Sequence, residues 1–481
     1  MNYRMIRYLL GIILLIEAVL MVLPASVALI YGESVVPFLV TIAMLLIISL
    51  PAVLFKPKNK RIFAKDGFVV VASAWILMSA FGALPFFLDG AIPNFIDAFF
   101  ETVSGFTTTG ASVLTEIESL PKGILFWRSF THWVGGMGVL VFMMAILPSS
   151  GGGQNIHLMR AEVPGPTKGK LVPKMRHTAL ILYGIYMALT FIEFVALLLC
   201  GMPVYDSLVN SFATAGTGGF SVLNSSIGGY NNAAAEWVIA VFMFVFGVNF
   251  NLYYFVIIGR ARELIKNEEF RTYSVLCLVS VAAIVANTLS TVERVGDCIR
   301  DAFFQVASII STSGFATLNY DAEWPEFSKA VLILLTFTGA CAGSTAGGLK
   351  LSRVIIVFKG ILCQIKQILR PHSVNIVRLD GEAVPDDTVR SATGYISIYL
   401  VLIVFVSFLL SLDGFDFTTN VTAAITCINN VGPGLGAVGP AGNFAGFSPL
   451  SKVALSLFML VGRLEIMPML IFFSPLAWKK R

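Results

Sequence analysis

The sequence predicts an all-α polytopic membrane protein: four parallel span–pore helix–span repeats around a central pore, plus two extra N-terminal spans. Three observations carry this. Of 481 residues, 57% are hydrophobic and 13% charged, against roughly 25% charged in an average soluble domain. Ten stretches are long and apolar enough to cross a bilayer. Four connections between them repeat one glycine-containing pattern. A soluble enzyme, a nucleic-acid binder and a disordered scaffold would all need a charged surface that is missing here. A β-barrel would show short alternating runs instead.

A transmembrane helix needs about 20 mostly apolar residues. The stretches near 8–30, 35–55, 67–88, 124–147, 178–200, 236–259, 272–291, 328–349, 391–412 and 450–473 meet that requirement. The first is too long for a signal peptide and has no small-residue cleavage site after it. With the N-terminus inside, 26 of the 33 Lys and Arg fall on the cytoplasmic side, as the positive-inside rule requires. Six fall outside: Lys122, Arg128, Arg294, Arg300, Lys329 and Lys452. The outer segments carry more Asp and Glu than that, and a net negative outer face concentrates cations. Both termini are then cytoplasmic.

The repeat is read from the outer connections after spans three, five, seven and nine. They run DAFFETVSGFTTTGA from Asp97, DSLVNSFATAGTGGF from Asp206, DAFFQVASIISTSGF from Asp301 and TNVTAAITCINNVGP from Thr419. Each places a glycine at the same offset: Gly110, Gly219, Gly314 and Gly432. Aligning the second on Gly216 would need a gap. A helix of about 10 residues, begun by Asp in three cases, must dip in and return, because it cannot cross. The domain boundaries follow: spans one and two in 1–61, then repeats at 62–150, 151–265, 266–385 and 386–481. All four repeats start from the same side, unlike the inverted repeats of many secondary transporters.

Non-helical backbone at membrane depth is tolerated where it is buried in protein or lines a wet path. Four such turns around one axis can aim carbonyls at a common centre and replace the hydration shell of potassium. Glycine permits the positive φ and close backbone approach that this needs. The expected coordinating residues are Thr108, Thr109 and Gly110; Thr217, Gly218 and Gly219; Thr312, Ser313 and Gly314; and Asn430, Val431 and Gly432. Potassium is the expected cargo at this metal-binding filter, and no catalytic residue or resident cofactor is expected. The six cysteines and four histidines show no zinc or redox spacing. Gly151-Gly152-Gly153 lacks the Lys-Ser/Thr of a nucleotide-binding loop.

Span eight has a second glycine cluster. Gly339, Gly343, Ser344, Thr345, Gly347 and Gly348 lie within ten residues. They suit a small-residue packing ladder or an unwound loop crossing the pore. A further alternative makes 350–370 an interfacial helix with Lys350, Lys359 and Lys366 snorkelling. Arg463 falls inside span ten and needs water or a polar partner. Glu465 is unsuited, since i and i+2 face apart, whereas carbonyls freed by an unwound 339–348 are suitable acceptors. Glu17 and Glu193 are intramembrane acids without an assigned role, and Asn249 and Asn251 read as interhelical hydrogen bonders. The basic segment 148–177 is a solvated connection able to touch anionic lipid.

The loops TTTGAS, TGGFS, TSGFA and NNVGPG, the segment AGSTAGGLK, the two leading spans and HLMRAEVPGP at 157–166 resemble the superfamily of Trk, Ktr and HKT cation transporters, and within it the membrane subunits of bacterial potassium uptake. The resemblance covers nearly the whole chain. It implies potassium uptake through the filter across a bacterial inner membrane, a homodimer with one pore per protomer, and the 339–348 segment as a gate. It also implies a cytoplasmic TrkA-type regulatory ring, the only route by which a nucleotide acts, with 148–177 and 260–271 as contact surfaces. Relatives that prefer sodium often carry Ser where this chain has Gly110. A sodium-permeable or sodium-coupled transporter of the same fold and a secondary transporter of an organic solute remain the alternatives.

Overall fold

The computed structural model describes residues 1–59, 63–138, 175–289 and 294–478, and structural statements below concern those. The segments 148–174 and 479–481 lie outside them, including 157–166 and most of the basic connection, as does the end of span four. Among the described residues, six helical stretches are long and apolar enough to cross a membrane. The first is α1 (Tyr3–Leu20) continued by α2 (Val22–Ile30), and the second is α3 (Val36–Leu54). The third is α4 (Ala64–Gly82) with α5 (Leu84–Asp89). The others are α8 (Met175–Leu199), α13 (Glu268–Thr288) and α18 (Asp386–Leu410).

Four of the ten predicted spans are not continuous helices over their described residues. Span four is α7 (Lys122–Gly136) and stops at Met137. Span six is split into α10 (Ala233–Phe246) and α11 (Phe250–Ile257), bent by 95°. Span eight is α16 (Glu326–Thr338), a non-helical stretch to Lys350, then α17 (Leu351–Leu369). Span ten is α20 (Pro449–Arg463) and α21 (Ile466–Phe473). Glycine lies at or beside each break: Gly136 and Gly138, Gly247, Gly339, and Gly462. Each of these weakens a helix, but the flanking residues are apolar, so hydropathy runs on through the break.

Between the paired spans lie four short helices: α6 (Phe95–Phe106), α9 (Val204–Gly216), α14 (Val295–Ile310) and α19 (Phe417–Asn429). They are longer than expected and begin earlier. Asn94 and Asp416 cap two of them, accepting hydrogen bonds from Ile96 N and Thr419 N. Asp97 and Asp206 fall in first turns, but Asp301 sits well inside α14, where Asp297 takes the first-turn place. The short helices are buried against the spans that follow them. α7 is wedged between α6 and α9, and a side chain at Gly135 would collide with the Phe106 carbonyl. One at Gly136 would meet Gly216. A short antiparallel ladder, β1 (Arg378–Leu379) with β2 (Glu382–Ala383), follows α17.

The leading spans pack on this assembly. α1 crosses α3 closely at Gly11, where a Cβ would strike Ala52. Glu33, after α2, accepts hydrogen bonds from Lys122 N (2.6 Å) and Gly123 N (2.8 Å). It thereby serves as a borrowed cap for the unpaired amides that open α7. Removing such a cap costs about 1 kcal/mol. We expect Glu33→Ala to lower the melting temperature of the detergent-solubilised protein, and Glu33→Gln, which keeps one acceptor, to lower it less.

Candidate pore and its inner segment

Each short helix ends the same way. The amide two residues before the key glycine bonds back three residues: Thr108 N to Gly105 O, Thr217 N to Thr214 O, Thr312 N to Ile309 O, and Asn430 N to Cys427 O. The next amide bonds back five: Thr109 N to Ser104 O, Gly218 N to Ala213 O, Ser313 N to Ser308 O, and Val431 N to Thr426 O, at 2.8–3.0 Å. These bonds close a left-handed helix terminus. The residue at the turn has φ of 54–60° in all four loops, and the key glycine is again positive, at 77–97°. A β-branched threonine in that region costs of order 1–3 kcal/mol. Three of the four loops carry one there, so the surrounding structure holds it in place.

The consequence is a closed ring. A Cβ at Gly110 would collide with Gly218 O, one at Gly219 with Ser313 O, one at Gly314 with Val431 O, and one at Gly432 with Thr109 O. Each glycine thus lies against the carbonyl preceding the glycine of the next loop, and the fourth loop returns to the first. The choice of Gly219 over Gly216 agrees with this geometry, since Gly216 is the last residue of α9, packed on His132. Side chains tie the ring from behind. Thr107 and Thr109 hydroxyls share a 2.7 Å bond, Ser311 and Ser313 one of 2.8 Å, and Asn430 Nδ2 donates to Thr109 Oγ1 at 2.9 Å. The four glycines open onto a vestibule lined also by Asn224 and Asn443.

The stretch 339–350 lies against the other side of the ring. Gly347 N donates to Thr312 Oγ1 (2.8 Å), and Gly347 and Gly348 lie against Asn430 and Asn429. Its backbone is bonded into the break of span six: Cys341 N to Gly247 O and Phe250 N to Gly343 O, at 3.1 and 3.0 Å. Thr345 Oγ1 donates to Phe246 O. Arg463 is not at mid-helix but at the end of α20. Its Nη1 donates to Thr345 O (2.8 Å), and its Nη2 to Gly135 O (2.5 Å) and Gly136 O (2.9 Å). One guanidinium therefore joins the segment to the last carbonyls of α7, which have no helical partner. Glu465 pairs with Arg353 instead, at 2.5 Å.

Other expectations change. The stretch is irregular backbone, not a helical small-residue ladder. Lys350 is buried and bonded to Ala346 O, and Lys359 pairs with Glu268, so neither snorkels freely. Asn249 caps α11, accepting from Asn251 N, and is not an interhelical bonder. Glu17 and Glu193 are fully buried.

Arg128 is no outer-loop charge. It is buried in α7, 2.7 Å from Glu101 of α6, and donates to Ser221 O just after Gly219. Glu101 also accepts from Ser112 Oγ and Val113 N, just after Gly110. The Arg128 guanidinium covers the Phe220 ring at 3.5 Å. His132, one turn on, fills the space a side chain at Gly218 would need. Sequence reading assigned these three no function. The available signal was a Glu in a short apolar helix and an Arg inside an apolar run, both too costly to bury alone.

Comparison with known proteins gives a consistent picture. Residues 36–480 match the family model TrkH, described as cation transport protein. The chain is 35% identical over its full length, and over all of theirs, to the Trk system potassium uptake proteins TrkH of Salmonella typhimurium and Escherichia coli. The crystal structure of the potassium transporter TrkH from Vibrio parahaemolyticus superposes with a TM-score of 0.90 at 32% identity, covering both chains completely.

Breaking a buried ion pair on one side costs about 3–5 kcal/mol. We expect Glu101→Gln to lower the thermal stability of the purified protein sharply. Glu101→Gln with Arg128→Met should recover much of it. Size-exclusion profiles of heated samples measure both.

Proposed function

The chain belongs to the TrkH family of cation transport proteins, and on that premise we propose that it carries potassium into the cell across the cytoplasmic membrane. The observation that supports this most is the closed ring of glycines and carbonyls. Carbonyls held at fixed spacing can replace potassium's hydration shell. In this reading the carbonyls of Thr108, Thr109 and Gly110, Thr217, Gly218 and Gly219, Thr312, Ser313 and Gly314, and Asn430, Val431 and Gly432 coordinate the ion. The chain is divided as 1–61, 62–150, 151–265, 266–385 and 386–481, the last four units being parallel repeats about the pore. Both termini are cytoplasmic.

The stretch 339–348, including Gly339, Gly343, Ser344, Thr345, Gly347 and Gly348, acts as the gate on the inner side, and Arg463 is its latch. The protein works as a homodimer. A TrkA-type nucleotide-binding ring docks on 148–177 and 260–271 and controls the gate. Gly110 favours potassium over sodium in this reading, and the loops carry no Arg or aromatic cage suited to an organic ion.

Rubidium uptake into proteoliposomes tests the transport function. Potassium should compete with the tracer and sodium should compete weakly. Equal competition by sodium, or competition by a neutral solute, would overturn it. Ala in place of Gly110, Gly219, Gly314 or Gly432 should lower potassium-over-sodium preference, because a Cβ enters the carbonyl contact. Unchanged selectivity in all four would remove the filter assignment.

Deleting 341–346 should raise partner-free flux. Arg463→Ala should raise both open probability and conductance in bilayer recordings. Arg463→Lys keeps the charge but loses the planar fork of donors. It should open more often at near wild-type conductance, and a Lys variant that gates normally would rule out the latch.

A further inference from the structure

Glu269 is a nearly buried carboxylate, 6% exposed, in the first turn of α13. A single oxygen, Oε1, accepts from Ala342 N (2.8 Å) and from Ser352 N (3.0 Å). Those two amides bracket the part of span eight that touches the ring through Gly347 and Arg463 through Thr345. One carboxylate therefore bridges both ends of an irregular stretch that no helix holds, beside the direct bond from Leu351 N to Ala340 O (3.0 Å). Hydrogen bonds to a charged group are the strong ones, and neither amide has a helical partner to fall back on.

The residues just before Glu269 are gripped from outside. Asp380, exposed at the turn between β1 and β2, accepts from Asn267 Nδ2 (3.0 Å) and Glu268 N (2.6 Å). Its own amide donates to Glu268 Oε2 (3.3 Å). Lys359 of α17 pairs with Glu268 and donates to Arg378 O (2.8 Å). Asp380 and Gly381 both have positive φ, the geometry of a tight two-residue hairpin. An exposed turn is thus joined through two residues to the carboxylate that closes the base of the loop.

We infer that Glu269 is the positioning residue that cinches the base of the 339–350 segment, and that the Asp380-Gly381 turn is the handle through which force from the surface reaches it. This rests on 339–348 being the gate. Moving the turn shifts the start of α13, and with it one oxygen that both ends of the segment share. Coupling of this kind requires an element with two arrangements that both sites bias; the two-ended clasp, closed or released, is that element.

Cys341 is a free, buried thiol inside the segment and reports on it directly. The test uses full-length protein with Cys200, Cys277, Cys298, Cys363 and Cys427 replaced by Ser. It measures the rate of maleimide labelling of Cys341 and partner-free rubidium flux in proteoliposomes. Glu269→Ala should raise both by at least about tenfold, the factor that corresponds to about one net hydrogen bond. Glu269→Gln, which keeps an acceptor oxygen, should fall between. Asp380→Ala should act in the same direction and add nothing on top of Glu269→Ala. Labelling unchanged in both Glu269 variants would overturn the clasp, and additive effects of Asp380→Ala would overturn the handle. Faster labelling with unchanged flux would uphold the clasp and instead sink the gate assignment. If Glu269→Ala is not recovered folded, the Gln variant and its combination with Asp380→Ala carry the same comparisons.

Discussion

Backbone that leaves the helix inside an apolar layer must find partners for its amides and carbonyls. Most of this structure follows from that constraint. Spans six, eight and ten break and α7 ends early, and these ends serve one another. The carbonyls ending α7 are taken by Arg463 from the break of span ten. The break of span six is stitched to Cys341 and Gly343. Thr345 O is taken by the same guanidinium, and Gly347 N by a threonine of the ring. The irregular region is a single bonded unit assembled from four separate parts of the sequence, so a change at one break is felt at the others.

The ring obeys the same constraint at smaller scale. Two amides of each loop fold back onto the end of their own short helix, which leaves the carbonyls of those residues free of internal duty. Glycine is required where one loop's carbonyl meets the next loop's backbone. Threonine at a positive φ is tolerated because the capping bonds and neighbouring loops over-determine it. Behind the first two loops, Arg128 and Glu101 bond to the backbone just after Gly110 and Gly219.

The repeated glycines were legible in the sequence because spacing survives divergence in the residues around it. The second-loop choice of Gly219, the irregular 339–348 and an Arg463 contact to its carbonyls were legible for similar reasons: local glycine density and one costly charge. The breaks in spans four, six and ten were not. Gly247-Val248-Asn249 and Leu464-Glu465 are embedded in apolar sequence, and what stabilises them is supplied by residues up to several hundred positions away. Arg128 was misplaced because counting charges assigns every Arg near a span end to water. The Asp380-Gly381 turn carried a hairpin signal in its sequence, but flanking strands of two residues are too short to show an alternating pattern.

Among the described residues, one break is much longer than the other two that are seen on both sides. Those in spans six and ten take a few residues, whereas the one in span eight runs from Gly339 to Lys350 and occupies the space beside the ring. A complex of four identical subunits would carry four such excursions, all competing for one place on the axis. Encoding the four loops of the ring in a single polypeptide lets the segment after one of them depart from the others without that collision. The unequal surroundings of the four loops are thus a geometric condition for having a single inner segment, and a chain made symmetric by design would have to give it up.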